Sequence, residues 1–446
     1  MKTLFPIPLS LDKMLQKNYI DVIGRRETSV GVEIELPLVP VEGGLIDSKF
    51  IVAFTGYLRE IGFTEIGSTL NGEVYAMVNK GGDICSFETT WNTVEFSMKY
   101  NTNLCVLAHR FYALFLKVQQ FCMEQGYYLC GRGINPNAGK LWAQPLHTPL
   151  LLAKSQFLSL FTKHHDGEIF HAICASTQTH LDAKNQSQYI RLFGILRKAY
   201  TLEGMFFANS PCPTDSELFN SHPALVGLEK NTLCFRDELW KNCGAPNVQI
   251  RPKKIENTEE LCHYLADMEL FIVPDGEGFR PIPPVTLQEY YDEGGEGKDL
   301  ATFRSLEPVA PTQKGSLEVR STCTQPLDCL FEPVAFYLGL SVNPDEAEEL
   351  LDAIYNKHFA NDSLVEVRDK LMRASNIVLR QSLRSEMIAL LDVALEGLVS
   401  RQLKEEQFLI PLKYRFKKPD FKPPALTQGH DPFTEAKIQI EQMKRW

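Results

Sequence analysis

The sequence of 446 residues predicts an α+β fold with a helical C-terminal part. Three observations lead to this prediction. Short segments in which apolar and polar residues alternate, as in strands, recur in residues 1 to about 330. Longer apolar segments with helical periodicity lie between them. After Pro333 the strand pattern stops and the helical periodicity continues. We therefore divide the chain into a body, residues 1–333, and a helical region, residues 334–446.

Three segments of the body have the apolar periodicity of helices: residues 50–63, 103–127 and 187–211. The first follows Asp47 and Ser48, either of which would cap a helix. The second ends at Gly126, and the third is stopped by Pro211, which cannot continue a helix. The stretch 273–308 is rich in Gly, Pro and acidic residues, so we expect a long loop or lid there.

The helical region begins with NPDEAEEL, in which Asn343 is the expected N-cap and Pro344 the first helical residue. In residues 364–405, four apolar residues fall on one helical face: Ile388, Leu391, Leu395 and Leu398. The tail, residues 414–433, is basic, aromatic and Pro-rich, so we expect it to be extended, with a last short helix after it.

Composition excludes several classes of protein. A net charge of −10 argues against a nucleic-acid-binding protein, which would need a basic surface. The 11 cysteines include no CxxC pair, so a zinc site of the usual spacing is not expected, and this many free thiols favour a reducing cytoplasmic location. We find no signal peptide and no apolar stretch near the roughly 20 residues of a membrane span.

Four strand-like segments carry an apolar face opposite a face of acidic and amide side chains: residues 31–38, 92–100, 174–182 and 315–326. The polar faces carry Glu33 and Glu35 on the first segment, Glu95 on the second with Glu88 just before it, Gln178, His180 and Asp182 on the third, and Glu318 and Arg320 on the fourth. A solvated sheet face is the simplest interpretation of any one segment. Taken together, however, the four segments have few of the lysines that a solvated face usually mixes in.

Carboxylates that converge from several strands would repel one another unless cations lay between them. Oxygen-rich ligand sets suit Mg²⁺ or Mn²⁺, which neutralise charge in phosphoryl transfer. The sequence contains no GxxxxGK[ST] loop and no protein-kinase motif. An enzyme that used ATP here would therefore do so on another fold.

The motifs GVEIE, FETTWNTVEFS, ASTQTHLD and SLEVRSTCTQP, in this order, resemble those of the glutamate–cysteine ligase family. The plant and bacterial type, which includes the ligase of ergothioneine biosynthesis, is the most similar branch. FRDELWKNCGAP, residues 235–246, also resembles a family element, and the resemblance spans about residues 28–330. It implies a curved, mostly antiparallel sheet forming a funnel, related to glutamine synthetase, with helices outside. It also implies ATP and Mg²⁺ as cofactors.

Matched to the family motifs, the residues receive specific roles. The resemblance implies metal ligands at Glu33, Glu35, Glu88, Glu95 and Glu318. It implies that Gln178, His180 and Asp182 line the nucleotide and metal region, and that Arg320 clamps the γ-phosphate, so that Glu318 and Arg320 are the catalytic residues. Arg191, which follows the third strand on a helix, is a further candidate for nucleotide binding.

The resemblance implies an ATP-dependent carboxylate–amine ligase that forms a γ-glutamyl amide through γ-glutamyl phosphate, with cysteine as the default amine. Two alternatives stay open: a ligase of the same fold with a different amine, and a catalytically inactive binding protein. The family's Arg-Tyr pair is not visible in residues 141–157, which leaves the amine in particular undecided. We expect glutamate and an amine, likewise an amino acid, as substrates, and neither nucleic acid nor membrane as a partner; the oligomeric state stays open.

Overall fold

The computed structural model describes residues 7–25, 29–137, 145–161, 172–213, 225–295, 306–428 and 431–443. Within these ranges, no helix combines the length and the apolar character that a membrane span requires.

A nine-stranded antiparallel sheet forms the centre of the described structure. Its strands are β1 (Val30–Pro40), β2 (Phe63–Ser68), β3 (Val74–Asn79), β4 (Ile84–Phe87), β5 (Thr93–Asn101), β6 (Tyr127–Leu129), β7 (Ser176–Asp182), β10 (Val309–Pro311) and β11 (Ser316–Cys323). They are ordered β10-β11-β7-β1-β5-β4-β3-β2, and β6 also pairs with β1. Strands β8 (Glu269–Asp275) and β9 (Gly278–Thr286) form a separate hairpin. The prediction of a curved, mostly antiparallel sheet with outer helices and a helical C-terminal part is confirmed.

The helices are α1 (Leu9–Leu15), α2 (Ser48–Glu60), α3 (Leu104–Glu124), α4 (Pro149–Phe161), α5 (Gln186–Phe207), α6 (Phe235–Asn242), α7 (Thr258–Ala266), α8 (Leu287–Asp292), α9 (Glu332–Val342), α10 (Pro344–His358), α11 (Leu364–Met372), α12 (Ile377–Ser382), α13 (Arg384–Ser400), α14 (Ile410–Phe416) and α15 (Pro432–Met443). The three predicted body helices are confirmed as α2, α3 and α5. Asp47 caps α2 by accepting the Lys49 N–H at 2.9 Å, and Gly126 follows α3 with a positive φ of 80°.

Two predictions about irregular segments are wrong in part. Residues 269–292 form the β8–β9 hairpin and α8 rather than a loop, and residues 296–305 lie outside the described residues. The prolines of β9 are tolerated because a strand in a two-stranded sheet has one side without a hydrogen-bonding partner. The tail 414–433 is not simply extended, because Tyr414–Phe416 completes α14, whose Leu412 and Phe416 are buried.

The start of α10 also differs in detail from the prediction. Pro344 does begin the helix, but the Asn343 side chain does not cap it. The Asn343 Nδ2 instead donates to the Val393 carbonyl at 3.3 Å, which ties α10 to α13.

One continuous hydrophobic core joins the body to the helical region. The apolar face of the sheet contributes fully buried side chains, including Val32 and Ile34 of β1. Helix α9, which crosses the predicted boundary at residue 333, is buried along nearly its whole length and packs on α13. The two helices cross at glycines: a Cβ on Gly339 would lie 2.1 Å from the Ala394 carbonyl oxygen.

We expect Gly339→Ala to destabilise the protein by about 2 kcal/mol or more, because the added methyl group forces two packed backbones apart. Gly194→Ala is the matched control, since Gly194 lies within α5 and a Cβ there would meet nothing within 4 Å. That change should stabilise the protein by up to about 1 kcal/mol through helix propensity. Urea unfolding measures both. Equal effects of the two substitutions would contradict the close crossing.

Candidate active site

The polar face of the sheet gathers the acidic side chains of four neighbouring strands. In the strand register, Glu33 lies opposite Gln178, Glu35 opposite Glu95, and Glu318 opposite His180. Because side chains alternate along a strand, paired residues point to the same face. The apolar residues of the same strands therefore reach the core while the carboxylates meet on the other side.

Glu35, Glu88 and Glu95 form a group that we call the carboxylate cluster. One oxygen of each residue lies within 4.8 Å of the others. Strand β7 holds Glu35, since the Ser176 N–H and hydroxyl donate to its Oε2 at 2.7 and 2.9 Å and Gln178 Nε2 donates to its Oε1 at 2.8 Å. The side chain of Glu35 is thus oriented before any ligand arrives.

Crowding and limited hydration perturb all three carboxyl groups. Burial raises the pKa of Glu35, against the opposing effect of Arg236. Glu88 is exposed by surface area, but desolvation by the surrounding cavity walls, followed by repulsion from Glu35, raises the pKa of Glu88 to about 7. Burial, then Glu88, Glu33 and Glu35, raise the pKa of Glu95 well above its usual value. Three carboxylates placed in this way favour either protons or a bound cation.

Glu33, His180 and Glu318 form a second group, the histidine cluster, with ligand atoms likewise within 4.8 Å of one another. His180 Nε2 lies 3.4 Å from Glu33 Oε1, and His180 Nδ1 lies 3.4 Å from the Ser316 hydroxyl. Burial opposes the charged imidazolium, but the hydrogen bond and charge of Glu33 and then the charge of Glu318 raise the pKa of His180 overall.

The donor atoms of both clusters suit a divalent cation. Two oxygens bound to one Mg²⁺ at about 2.1 Å lie at most about 4.2 Å apart, so small side-chain movements would complete either site. Among the residues that the structure describes, Glu318 Oε1 is buried without a hydrogen-bond partner, and it lies 3.6 Å from Arg320 Nε. Gln178 Oε1 is likewise buried without a partner within the described ranges. Buried acceptor oxygens that lack donors are costly in an apo site and become satisfied when a cation is bound.

Each cluster opens into its own cavity. The carboxylate cluster opens into the inner cavity, a space of about 570 Å³ that includes its open mouth and is lined by Lys154, Arg236, Trp240 and Arg320 together with Glu35 and Glu88. The histidine cluster opens into the lateral cavity, about 640 Å³ measured in the same way and lined by Lys99, Tyr100, Asp182 and Lys314 together with Glu33 and His180. One face of the sheet therefore presents acidic groups to two cavities that have basic side chains in their walls.

The inner cavity also places a perturbed lysine near the carboxylate cluster. Burial lowers the pKa of Lys154 to about 8, although the charge of Glu88 opposes this shift. The ammonium group lies 6.0 Å from the centre of the Trp240 ring. A cation next to Glu88 suits an anionic group in the cavity.

The structure brings nine of the ten sequence-predicted residues to one face: Glu33, Glu35, Glu88, Glu95, Gln178, His180, Asp182, Glu318 and Arg320. The exception is Arg191 of α5, which is the eighth of the ten in chain order. It lies in a different cavity, where its guanidinium pairs with Asp345 and Glu348 of α10. Its spacing from β7 suggested proximity to the site, but the helix turns it towards the helical region.

Sequence reasoning did not assign roles to several cavity residues. Arg236 and Trp240 belong to the FRDELWKNCGAP stretch, so the motif itself was the available signal. Lys154 is the sole charged residue of PLLLAKSQFLSLF, the apolar sequence of α4. A lone lysine in such a helix is a signal for a special environment. Lys99 and Lys314 look like ordinary surface residues in the sequence.

A solved structure shares this fold. A glutamate–cysteine ligase from Francisella tularensis in complex with AMP superposes with a TM-score of 0.53 at 11% sequence identity, covering 95% of this chain and 90% of that chain. A bifunctional glutathione synthetase from Pasteurella multocida gives a TM-score of 0.47 at 11% identity, over 94% of this chain and 52% of that chain. No protein-family model and no curated protein matches the sequence. At these identities, the likeness to the first structure establishes a common fold.

Proposed function

We propose that the protein is an ATP-dependent carboxylate–amine ligase that phosphorylates the γ-carboxylate of glutamate and transfers the γ-glutamyl group to an amine. The observation that carries the proposal is the pair of adjacent acidic clusters on one sheet face, each open to a cavity. The common fold with a glutamate–cysteine ligase supports it.

In this proposal the two clusters hold Mg²⁺, with Glu35, Glu88 and Glu95 in one site and Glu33, His180 and Glu318 in the other. Bound Mg²⁺ supplies neutralisation of the charge on the phosphate oxygens during transfer. Gln178 and Ser176 position Glu35 through the hydrogen bonds described above. The precise placement of these carboxylates comes from the strands, which are more rigid than loops.

The charges of the two cavities suggest how the substrates divide between them. Lys99 and Lys314 give the lateral cavity the positive charge that a nucleotide triphosphate needs, and Tyr100 offers an aromatic ring. Lys154 and Arg320 line the inner cavity beside the carboxylate cluster, where they suit an anionic amino acid such as glutamate. The γ-phosphate would then pass between the histidine cluster and the carboxylate cluster, which lie on the same face of the sheet.

The chemistry follows two balanced steps. An oxygen of the glutamate γ-carboxylate attacks the γ-phosphorus of ATP, and the bond to the bridging oxygen of ADP breaks. The amine nitrogen then attacks the acyl carbon, phosphate leaves, and the nitrogen loses a proton. Arg320 would stabilise negative charge on the transferred phosphoryl group, because a guanidinium is well placed to donate to several oxygens.

Hydroxylamine tests this proposal, because it traps an acyl phosphate without requiring any particular amine. Purified protein with ATP, glutamate and Mg²⁺ should form γ-glutamyl hydroxamate and ADP in equal amounts, and EDTA should abolish both. Arg320→Met should lower the rate by about 100-fold or more. Arg280→Met, on the exposed side of β9, is the control and should leave the rate unchanged. The absence of glutamate-dependent hydroxamate under these conditions would refute the proposal.

A further inference from the structure

A second space adjoins the inner cavity. We call it the outer chamber. It measures about 510 Å³ including its mouth, and it shares four lining residues with the inner cavity: Arg236, Trp240, Leu306 and Ser321. A molecule that extends from the carboxylate cluster past Trp240 would therefore enter the outer chamber.

The walls of the outer chamber are largely apolar. They include aromatic and aliphatic side chains from α5, α6, α11 and the segment after α6: Tyr200, Trp240, Val248, Ile250, Leu364 and Val365. Apolar walls with a few polar groups are typical of sites that bind a ligand side chain.

Most charged residues of the chamber are already neutralised by partners. Arg368 Nε donates to Asp237 Oδ2 at 2.8 Å, and Lys241 Nζ lies 2.7 Å from Asp369 Oδ2. These pairs reduce the attraction of the chamber for a charged ligand group, so its interior favours an uncharged one.

Arg236, at the junction of the two spaces, differs from these residues. Its side chain is about 95% buried, with 5% of its surface exposed. Its Nη1 donates to the Ser321 carbonyl at 3.1 Å, whereas its Nε has no hydrogen-bond partner among the described residues. No carboxylate of the described chain lies within ion-pair distance of it. A buried guanidinium whose Nε–H has no partner is a suitable partner for a ligand carboxylate.

We propose that the amine acceptor is an α-amino acid with an apolar side chain larger than that of cysteine. Its carboxylate binds Arg236, its amine points towards the inner cavity, and its side chain fills the outer chamber. This inference rests on the ligase function proposed above and specifies its second substrate. The amine attacks the acyl carbon of γ-glutamyl phosphate, and phosphate leaves as before.

Filling of the chamber provides the reason for the size preference. The short side chain of cysteine would leave much of the apolar wall in contact with water, whereas leucine or phenylalanine would cover it. One methylene group in an apolar pocket changes specificity by about 10-fold or more. We therefore expect kcat/KM for the best apolar amino acid to exceed that for cysteine by at least about 10-fold.

The experiment compares acceptors with the full-length protein. Glycine, cysteine, valine, leucine and phenylalanine are each supplied with ATP, glutamate and Mg²⁺, and kcat/KM is measured from γ-glutamyl product. Hydroxamate formation in the same preparation reports the first step alone. Hydroxamate formation together with a preference for cysteine or glycine would overturn the acceptor inference and leave the ligase function standing. The absence of hydroxamate would overturn both.

A second experiment uses a variant whose larger side chain fills the outer chamber. Val365→Trp, at the start of α11, should lower kcat/KM for the preferred acceptor by at least about 10-fold and leave hydroxamate formation within about twofold. Val378→Trp is the matched control, because Val378 of α12 is 79% exposed. Should Val365→Trp fail to fold, the smaller Val248→Leu tests the same wall. Unchanged use of the preferred acceptor by a folded chamber variant would overturn the inference.

Discussion

Glu95→Gln is expected to abolish turnover and, at the same time, to raise the stability of the metal-free protein. Glu95 is buried, with 8% of its surface exposed, and it faces Glu35 across the strand pair. Loss of this proposed metal ligand should cost several kcal/mol of charge stabilisation, which lowers the rate by about 1000-fold. Without metal, Gln removes the repulsion among the carboxylates, so the Tm should rise by about 2 °C or more.

The stability gain should depend on pH. Burial and the neighbouring carboxylates raise the pKa of Glu95 in the folded state above its unfolded value of 4.5. A raised carboxyl pKa means that folding favours the protonated form, so the wild type loses stability as the pH rises above 4.5. The advantage of Glu95→Gln should therefore be small at pH 4 and larger at pH 8.

Thermal unfolding in EDTA and in Mg²⁺ provides the measurement. Mg²⁺ should raise the Tm of the wild type more than that of Glu95→Gln, because the variant has lost one proposed ligand. Glu42→Gln changes an exposed carboxylate beyond the end of β1 and should leave both Tm and rate unchanged. A Glu95→Gln protein that is less stable than the wild type in EDTA at pH 8 would show that the carboxylates do not repel one another.

The second large effect is expected at Arg368, whose substitution by Met should destabilise the protein by about 3–5 kcal/mol. Arg368 of α11 is buried beneath the outer chamber, where its Nη1 donates to the Tyr200 carbonyl at 2.8 Å and lies 3.5 Å from Glu203 Oε1. Its Nε also binds Asp237. The variant would leave the fully buried Glu203 without a cation. This contact joins the helical region to the body.

The pH dependence of this effect follows from Glu203. Burial already raises the pKa of Glu203, and Arg368 lowers it in opposition. In Arg368→Met the pKa of Glu203 should rise further. The loss of stability caused by the substitution should therefore be smaller at pH 5 than at pH 7.5, because the Glu203 carboxyl group is closer to protonated at pH 5 in both the folded and the unfolded state. Urea unfolding at the two pH values tests this expectation.

Two further variants distinguish the stability cost of an unpaired buried charge from the cost of losing a contact. Adding Glu203→Gln to Arg368→Met should recover much of the stability, because no buried charge is then left alone. Lys241→Met breaks an exposed pair between α6 and α11, with 38% of the lysine side chain accessible, and should cost at most about 1 kcal/mol. A double variant as unstable as Arg368→Met would indicate that packing, rather than charge, is decisive.

The sequence was sufficient to predict the strands of the site because Glu33, Glu95, His180 and Glu318 alternate with strongly apolar residues. Their common face follows from that alternation. Their division into two clusters does not, because it depends on which residues are paired across strands, and register is set by contacts between distant segments. The pairing of Glu35 with Glu95 became visible in the structure alone.

Helices were predictable where caps and periodicity agreed, as at Asp47 and Gly126. The β8–β9 hairpin was missed because its prolines and glycines resemble those of a loop, and tolerance of proline depends on a strand being at an edge. The position of Arg191 away from the two clusters was not visible in the sequence for a related reason. A guanidinium on a helix has the same sequence signature whether it faces a phosphate or, as here, two carboxylates of α10.

The pairing of β11 with β7 is irregular, and this irregularity restricts the number of residues that β11 can contain. Val319 pairs with Thr179 and Thr322 with Thr177, so β11 contains one residue more than its partner over this interval. Glu318 thereby remains beside His180 while the Thr322 hydroxyl reaches Glu203 on the opposite side of the sheet, at 2.7 Å. Deleting a single residue between Val319 and Thr322 would move every later side chain of β11 to the opposite face of the sheet. Related chains should therefore tolerate substitutions along this stretch of β11 far more readily than insertions or deletions.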